Sequence, residues 1–292
     1  MIKLYSKEGG DMTIKELINN GFLKLKNANI EYPKLKSILL MQYVLDKSKQ
    51  YIIANDQKEI TKVEETIYRE KIEQLLKGEP IEYIIHNKEF MKLNFFVNQD
   101  VLIPRQDTEI LVEEVIDIAK KINAKEVLDL CTGSGAIAVS IAKYLAQIEI
   151  LAVDISKEAL NIAKKNAISN NVDKQITFIK SDIFNNLQDK KFDIIVSNPP
   201  YIKSNVIDTL SEEVRREPKI ALDGGKDGLE FYNKIIKESY LHLRSGGYLC
   251  LEIGFDQKID VIKLIENEKK FENIYSKKDL YNNDRIVVAK LK

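Results

Sequence analysis

The chain has 292 residues, 44% hydrophobic and 31% charged, the profile of a soluble globular protein with one large domain and a smaller one. Its 45 Lys+Arg balance its 45 Asp+Glu, so no global positive field exists to hold nucleic acid, and direct nucleic-acid binding is not expected. Two distant cysteines (Cys131, Cys250) and two isolated histidines (His86, His242) form neither a disulfide framework nor a zinc ligand set; no metal is expected.

The opening "MIKLYSKEGGDM" has no signal-peptide core, and no apolar run is long enough to span a bilayer, so a cytoplasmic protein without a membrane partner is expected. Residues 1–11 read as a loose extension, with Met12 an alternative start. From Thr13 to Ile85 the apolar spacing is helical. Ile14, Leu17, Ile18 and Phe22 share one face of a first helix; Leu35, Ile38, Leu39 and Tyr43 lie at helical spacing in a second, with Pro33 in its first turn. A third carries Val63, Ile67, Ile72, Leu75 and Leu76, with Gly78 as its stop. Residues 1–85 thus read as a small helical bundle domain.

Residues 86–104 switch to strand character, with Phe90, Leu93, Phe95 and Val97 separated by polar residues as in a β-hairpin linking two domains. Residues 105–292 alternate helix and strand. Strands are expected at 126–130, 149–154, 176–180, 192–197, 248–253, 271–276 and 284–291. Helices are expected at 108–122, after Ser156 as N-cap, and from Asp227 to a stop at Gly246-Gly247. This alternation predicts a doubly wound α/β domain, its ligands bound outside the carboxyl ends of the strands.

Strand ends carry the chemistry. "DLCTGSGAIA" places Gly133 and Gly135 in a tight turn that a ligand can approach closely. Asp129 precedes it, Asp154 ends the next strand and Asp182 follows the third, three carboxylates expected to converge on one crevice. They would repel a dinucleotide pyrophosphate, and Ala138 stands where the dinucleotide fingerprint has its third glycine. A cationic ligand fits better: S-adenosylmethionine, with Asp154 on its ribose hydroxyls, Asp182 on its adenine amine and the backbone of Ile183 against the ring. The fourth strand ends in "SNPPYI". Pro199 and Pro200 fix their own φ and remove two backbone donors. The Asn198 side-chain oxygen and a proline carbonyl then offer two fixed acceptors to the two hydrogens of a planar –NH₂ group, on which Tyr201 can stack.

Together "IPRQDTE" (103–109), "DLCTGSGAIA", "VSNPPYI" and "REPKIALDGGKDGLEFY" (216–232) resemble the HemK-type release-factor glutamine methyltransferases, over about residues 78–292. The resemblance implies a class I S-adenosylmethionine-dependent methyltransferase, Rossmann-like with a mostly parallel seven-stranded sheet. It implies transfer of methyl to the Gly-Gly-Gln glutamine of peptide chain release factors, giving N5-methylglutamine, with the helical domain recognising the substrate. It implies donor contacts from Cys131, Thr132, Gly133, Ser134, Gly135, Asp154, Ile183 and Asn198, and a glutamine held by Asn198, Pro199, Pro200 and Tyr201. Arg105 is expected to pair with a carboxylate, Thr108 and Glu109 to start a helix, and Glu217-Pro218 with Asp223-Gly224-Gly225 to shape a loop over the glutamine. Gln106, Cys131, the helix "LKSILLMQYVL" and "DLYNNDR" depart from the family pattern. A ribosomal-protein glutamine methyltransferase would share this site, but "PRQDTE" favours the release-factor branch. An adenine-amino methyltransferase should carry a basic, aromatic target-recognition region, which this chain lacks. A donor-binding module with dead chemistry should show damage in Asn198–Tyr201 or Gly133/Gly135, and none is seen.

Overall fold

A computed structural model describes residues 12–292; the extension expected at 1–11 lies outside the described residues. The chain divides into two compact units: one reaches to His86 and includes Glu212–Arg216, the other comprises Asn87–Ser211 and Glu217–Lys292.

The first unit contains α1 (Ile14–Asn27), α2 (Pro33–Leu45), α3 (Lys49–Ala54), α4 (Lys62–Leu76) and α5 (Ile81–Ile85). Capping boxes Thr13/Glu16 and Thr61/Glu64 satisfy the first backbone donors of α1 and α4. The core is built on Ile14, Leu17 and Leu25 of α1, Leu40 and Met41 of α2, and Tyr68, Ile72 and Leu75 of α4. The buried face of α2 differs from the expected one: Leu35 and Tyr43 are exposed while Lys36, Ser37, Leu40 and Met41 are buried. This helix is apolar almost all round, so periodicity does not choose its inner face. Val63 and Ile67 of α4 are likewise exposed.

The second unit begins with the hairpin β1 (Lys88–Phe90) and β2 (Leu93–Phe95). Then follow α6 (Glu109–Ile122), β3 (Glu126–Leu130), α7 (Ala136–Tyr144), β4 (Glu149–Asp154), α8 (Lys157–Ser169), β5 (Ile176–Lys180) and β6 (Phe192–Ser197). The short α9 (Glu212–Arg215) belongs to the first unit. The second resumes with α10 (Glu230–His242), β7 (Leu243–Glu252), α11 (Lys258–Asn267), β8 (Phe271–Lys278) and β9 (Asp284–Leu291). The seven-stranded sheet has the order β5-β4-β3-β6-β7-β9-β8, parallel except for β9, which runs antiparallel to both β7 and β8.

Side-chain alternation builds a core on each face of the sheet. Val127, Ile194, Val196, Cys250 and Val288 face α6 and α7, whereas Leu128, Leu130, Ile195, Leu249 and Val287 face α10 and α11. Each such side chain, fully withdrawn from water, contributes about 1.5–3 kcal/mol. The chain reverses direction of travel across the sheet between β3 and β6, which opens a crevice at their carboxyl ends.

Gly246-Gly247 do not end α10. The helix stops at His242, and β7 starts at Leu243 with an irregularity between the Phe192–Leu243 and Ile194–Tyr248 pairs. Gly246, at φ 79°, lies in that irregularity, so the glycines serve a bulge.

Candidate active site

The turn from β3 into α7 contains three left-handed residues, Cys131 (φ 59°), Gly133 (φ 55°) and Gly135 (φ 79°). At Cys131 that conformation costs about 1–2 kcal/mol, which the surroundings must offset. They do so with hydrogen bonds: Thr132 N donates to Val153 O at 3.0 Å and Asn166 Nδ2 to Ser134 O at 2.9 Å. A Cβ at Gly133 would meet nothing within 4 Å, so the turn presents bare backbone to open space.

Asp154, at the end of β4, accepts from Gly133 N at 2.8 Å through one oxygen and from Ser156 N at 2.9 Å through the other. Burial raises its pKa, and the backbone donors act against that rise. Each oxygen keeps further lone pairs. Asp129 occupies a different place from the other two acids. It is wholly buried and accepts from Thr132 Oγ1 at 2.6 Å. Burial pushes its pKa up to about 7.

Outside the carboxyl ends of β3, β4 and β6 lies a cavity of about 230 Å³. Its wall brings together Cys131, Gly133, Asp154, Asp182, Ile183, Asn198 and Pro200. Asp129, Thr132, Ser134, Gly135, Pro199 and Tyr201 do not line it. Sequence reasoning missed Leu102, Ile155, Phe231 and Lys234, which also line the cavity. Ile155 directly follows a strand-end acid and was within reach of the strand-end argument. Phe231 and Lys234 sit one turn apart on α10 and carry no such signal.

At the end of β6, Ser197 Oγ donates to Leu130 O at 2.8 Å, tying the corner to β3. Asn198 Nδ2 donates to Thr108 Oγ1 at 3.3 Å. Among the described residues, the Asn198 Oδ1 atom and the carbonyls of Pro199 and Pro200 accept no hydrogen bond. The next residue is held at both ends: Tyr201 O accepts from Gln257 Nε2 at 3.0 Å, and Tyr201 Oη donates to Glu252 Oε1 at 3.3 Å. Burial, reinforced by the neighbouring Glu252, keeps that phenol protonated.

The loop after residue 217 lies against this corner. Ile202 N donates to Leu222 O and Gly224 N to Ile202 O. A Cβ at Gly224 would stand 2.6 Å from Tyr201 Cα and 2.9 Å from Pro200 O, so only glycine allows the approach. Glu217, buried, pairs with Arg105 and accepts from Ile103 N at 2.9 Å, which supplies the carboxylate expected for Arg105. Thr108 does not cap α6 with its side chain; its hydroxyl serves Asn198 instead. Glu109 accepts from Met91 N at 2.7 Å, anchoring the hairpin.

Residues 16–85 match the family model "PrmC N-terminal domain", and residues 105–226 match "Methyltransferase small domain". Over 282 residues the chain is 41% identical to the release factor glutamine methyltransferase of Clostridium botulinum, covering 96% of this chain and 99% of that one. It is 41% identical over 281 residues to the protein of the same name from Clostridium acetobutylicum, covering 95% and 98%. The chain belongs to the release factor glutamine methyltransferase family. As a family member it carries a methyltransferase unit whose fold extends well beyond these relatives. A methyltransferase from Pyrococcus furiosus, only 21% identical, superposes with a TM-score of 0.50 over 68% of this chain and 89% of its own.

Proposed function

We propose that this enzyme transfers a methyl group from S-adenosylmethionine to the side-chain amide nitrogen, N5, of the glutamine in the Gly-Gly-Gln motif of peptide chain release factors. The observation that carries the reading is the corner at Asn198. Its amide nitrogen is committed to Thr108, which leaves Oδ1 and the adjacent proline carbonyl as acceptors beside the cavity.

The residues present fit the donor. Gly133 offers a backbone cradle with open space at its Cβ position, and Asp154 turns remaining lone pairs toward a cavity that also holds Asp182. In this assignment Asp154 would hold the ribose hydroxyls, Asp182 and Ile183 the adenine, and the turn from Cys131 to Gly135 the methionine part. The acidic wall favours a ligand bearing a sulfonium and an ammonium. The donor, when bound, supplies an electrophilic methyl.

Asn198 Oδ1 and the Pro199 carbonyl accept the two hydrogens of the glutamine –NH₂ and so orient a poor nucleophile, whose lone pair is delocalised into its carbonyl. The Tyr201 ring, held at its hydroxyl by Glu252, supports the amide plane and faces its developing positive charge. No strong base is required first. The N–C bond forms as the S–C bond breaks, and the nitrogen's proton becomes acidic only after transfer, then leaves to solvent. The helical domain, residues 1–85, grips the protein substrate, the hairpin at 86–104 links it to the catalytic domain of 105–292, and the reaction takes place in the cytoplasm without nucleic acid or metal.

The test is to incubate the protein with S-adenosylmethionine and a bacterial release factor and map the added 14 mass units (~14, one CH₂) by peptide mass spectrometry. A methyl on the Gly-Gly-Gln glutamine is expected, and methylation confined to nucleic acid or to other proteins overturns the reading. Asn198→Ala is expected to reduce transfer by at least ~10²-fold with the melting temperature little changed. Unchanged turnover would remove Asn198 from the chemistry.

A further inference from the structure

Gln257 stands at the start of α11, is only 4% exposed, and does not line the cavity. A primary amide buried this deeply is costly unless its hydrogens and its oxygen find partners. Here all of them do. The two hydrogens of Nε2 meet two carbonyls, Tyr201 O at 3.0 Å and Gly228 O at 3.1 Å. Oε1 accepts from Gly254 N at 2.9 Å and lies 3.4 Å from Tyr232 Oη.

The three shortest of these contacts are to main-chain groups, and they leave the amide one orientation. A backbone carbonyl only accepts and a backbone N–H only donates. Turning the amide over would set its oxygen against both carbonyls and its hydrogens against Gly254 N–H. The partners also belong to three separate stretches of chain. Tyr201 ends the Asn-Pro-Pro-Tyr corner after β6, Gly228 lies in the loop that follows Gly224-Gly225, and Gly254 comes just after β7. Gly254 is fixed to the sheet, because its neighbour Ile253 donates from its N to Arg285 O at 2.8 Å. The backbone closes tightly around the amide. A Cβ at Gly228 would stand 2.5 Å from Tyr201 O and 2.7 Å from Gln257 Nε2, and one at Gly254 would stand 2.7 Å from Oε1.

We infer that Gln257 is a positioning residue for methyl transfer: its Nε2 holds the Tyr201 and Gly228 carbonyls to the end of β7, and so sets the place of the corner that receives the glutamine amide. The upstream end of that corner is tied to β3 by Ser197, and the prolines fix their own φ in between. Gln257 secures the downstream end, so the Pro199 carbonyl and the Tyr201 ring are held from both sides. The inference rests on the function proposed above. The donor half of the cavity is built differently, from Asp154 bonded to Gly133 and Ser156, with no contact to Gln257. Loss of Gln257 should therefore act on turnover and leave donor binding alone.

Gln257→Glu keeps the length and an oxygen for Gly254 N. Its carboxyl bears at most one hydrogen where the amide bears two, so the two carbonyls can no longer both be held. Gln257→Met keeps the length and removes donor and acceptor together. Rates are expressed per S-adenosylmethionine-binding site, titrated by calorimetry, so that misfolded molecules do not enter the comparison. Each variant is expected to lower kcat per site for the release factor by ~10–100-fold. The KM for the release factor and the Kd for S-adenosylmethionine should stay within ~2–3-fold of wild type. Gly228→Ala, which drives a methyl into the same contact, should reproduce the pattern. The double variant Gly228→Ala/Gln257→Met should be no slower than the worse single one within ~3-fold, because both open one contact. If Gln257→Met yields no donor-binding sites, Gln257→Glu and Gly228→Ala decide the matter. Wild-type kcat per site in Gln257→Glu, a Kd for the donor weakened in step with the rate, or additive losses would each overturn the inference. Failure of the wild-type enzyme to methylate the release factor would instead overturn the proposed function, so the two outcomes are distinguishable.

Discussion

Asp154 joins two tasks in one side chain: it ties Gly133 to Ser156 through its oxygens and faces the cavity with what remains. Asp154→Asn offers one acceptor oxygen and no charge, so one backbone N–H loses its partner and the cavity loses a negative charge. Donor affinity should fall by ~10–100-fold by calorimetry, with a smaller loss of stability. Unaltered affinity would contradict its assigned contact with the ribose. Glu252 gives a second residue-level expectation. Burial raises its pKa to about 7 in the folded protein, above the ordinary glutamate value of about 4.3. A carboxyl with a raised folded pKa gives stability that is complete below the unfolded pKa and is lost as pH climbs through the folded one. The wild type should therefore lose unfolding free energy between about pH 4.5 and 7, and Glu252→Gln should lose less over the same interval. Denaturant unfolding at pH 5 and pH 8 measures the difference; parallel losses would show that Glu252 does not titrate in that window. Asp129, also raised to about 7 by burial, supplies the slope that the variant retains. These residues differ in how far sequence announced them. Asp154 and Asn198 stand at strand ends beside a glycine turn and a Pro-Pro corner, where strand-end chemistry points to a ligand. Glu252 also ends a strand, but nothing adjacent to it in the chain distinguishes it from an ordinary solvated acid. Its meaning comes from Tyr201, which is 51 residues away by position number and donates its hydroxyl to it.

At the scale of elements, the loop carrying Gly224 is the sharpest case of backbone lying on backbone. Gly224→Ala forces a methyl against Tyr201 Cα and Pro200 O, so either the loop lifts or the Pro-Pro corner shifts. The expected result is a loss of turnover exceeding ~10-fold, with donor affinity less affected. A variant as active as wild type would mean the loop yields without moving the corner. Sequence reading placed β3 to β6 at their observed ends, because each is a short apolar run bounded by turn residues, and the flanking helices bury one face. It was less successful where local pattern is silent. The inner face of α2 depended on partners rather than period, and Gly246-Gly247 resembled a helix stop while serving a strand irregularity. The membership of Glu212–Arg216 was equally hidden, since a short charged segment carries no sign of which core it will join.

At the scale of the molecule, every residue of the cavity wall comes from the unit of Asn87–Ser211 and Glu217–Lys292. Removing residues 1–86 should therefore leave S-adenosylmethionine affinity within ~10-fold of the intact protein while abolishing methylation of the release factor; retained methylation would contradict the role proposed for the helical unit. The return of Glu212–Arg216 to that unit gives such surgery a further consequence. Lys36, only 7% exposed, meets Glu213 at 2.5 Å, and Arg216 donates to the Lys77 carbonyl at 2.7 Å. The polypeptide passes from one body to the other three times, so a graft of the N-terminal stretch alone onto a foreign catalytic partner would arrive with a buried ammonium stripped of its counterion. The two parts are laced rather than strung in series, and a single protease cut near His86 would nick the molecule without making the helical portion a free, complete piece.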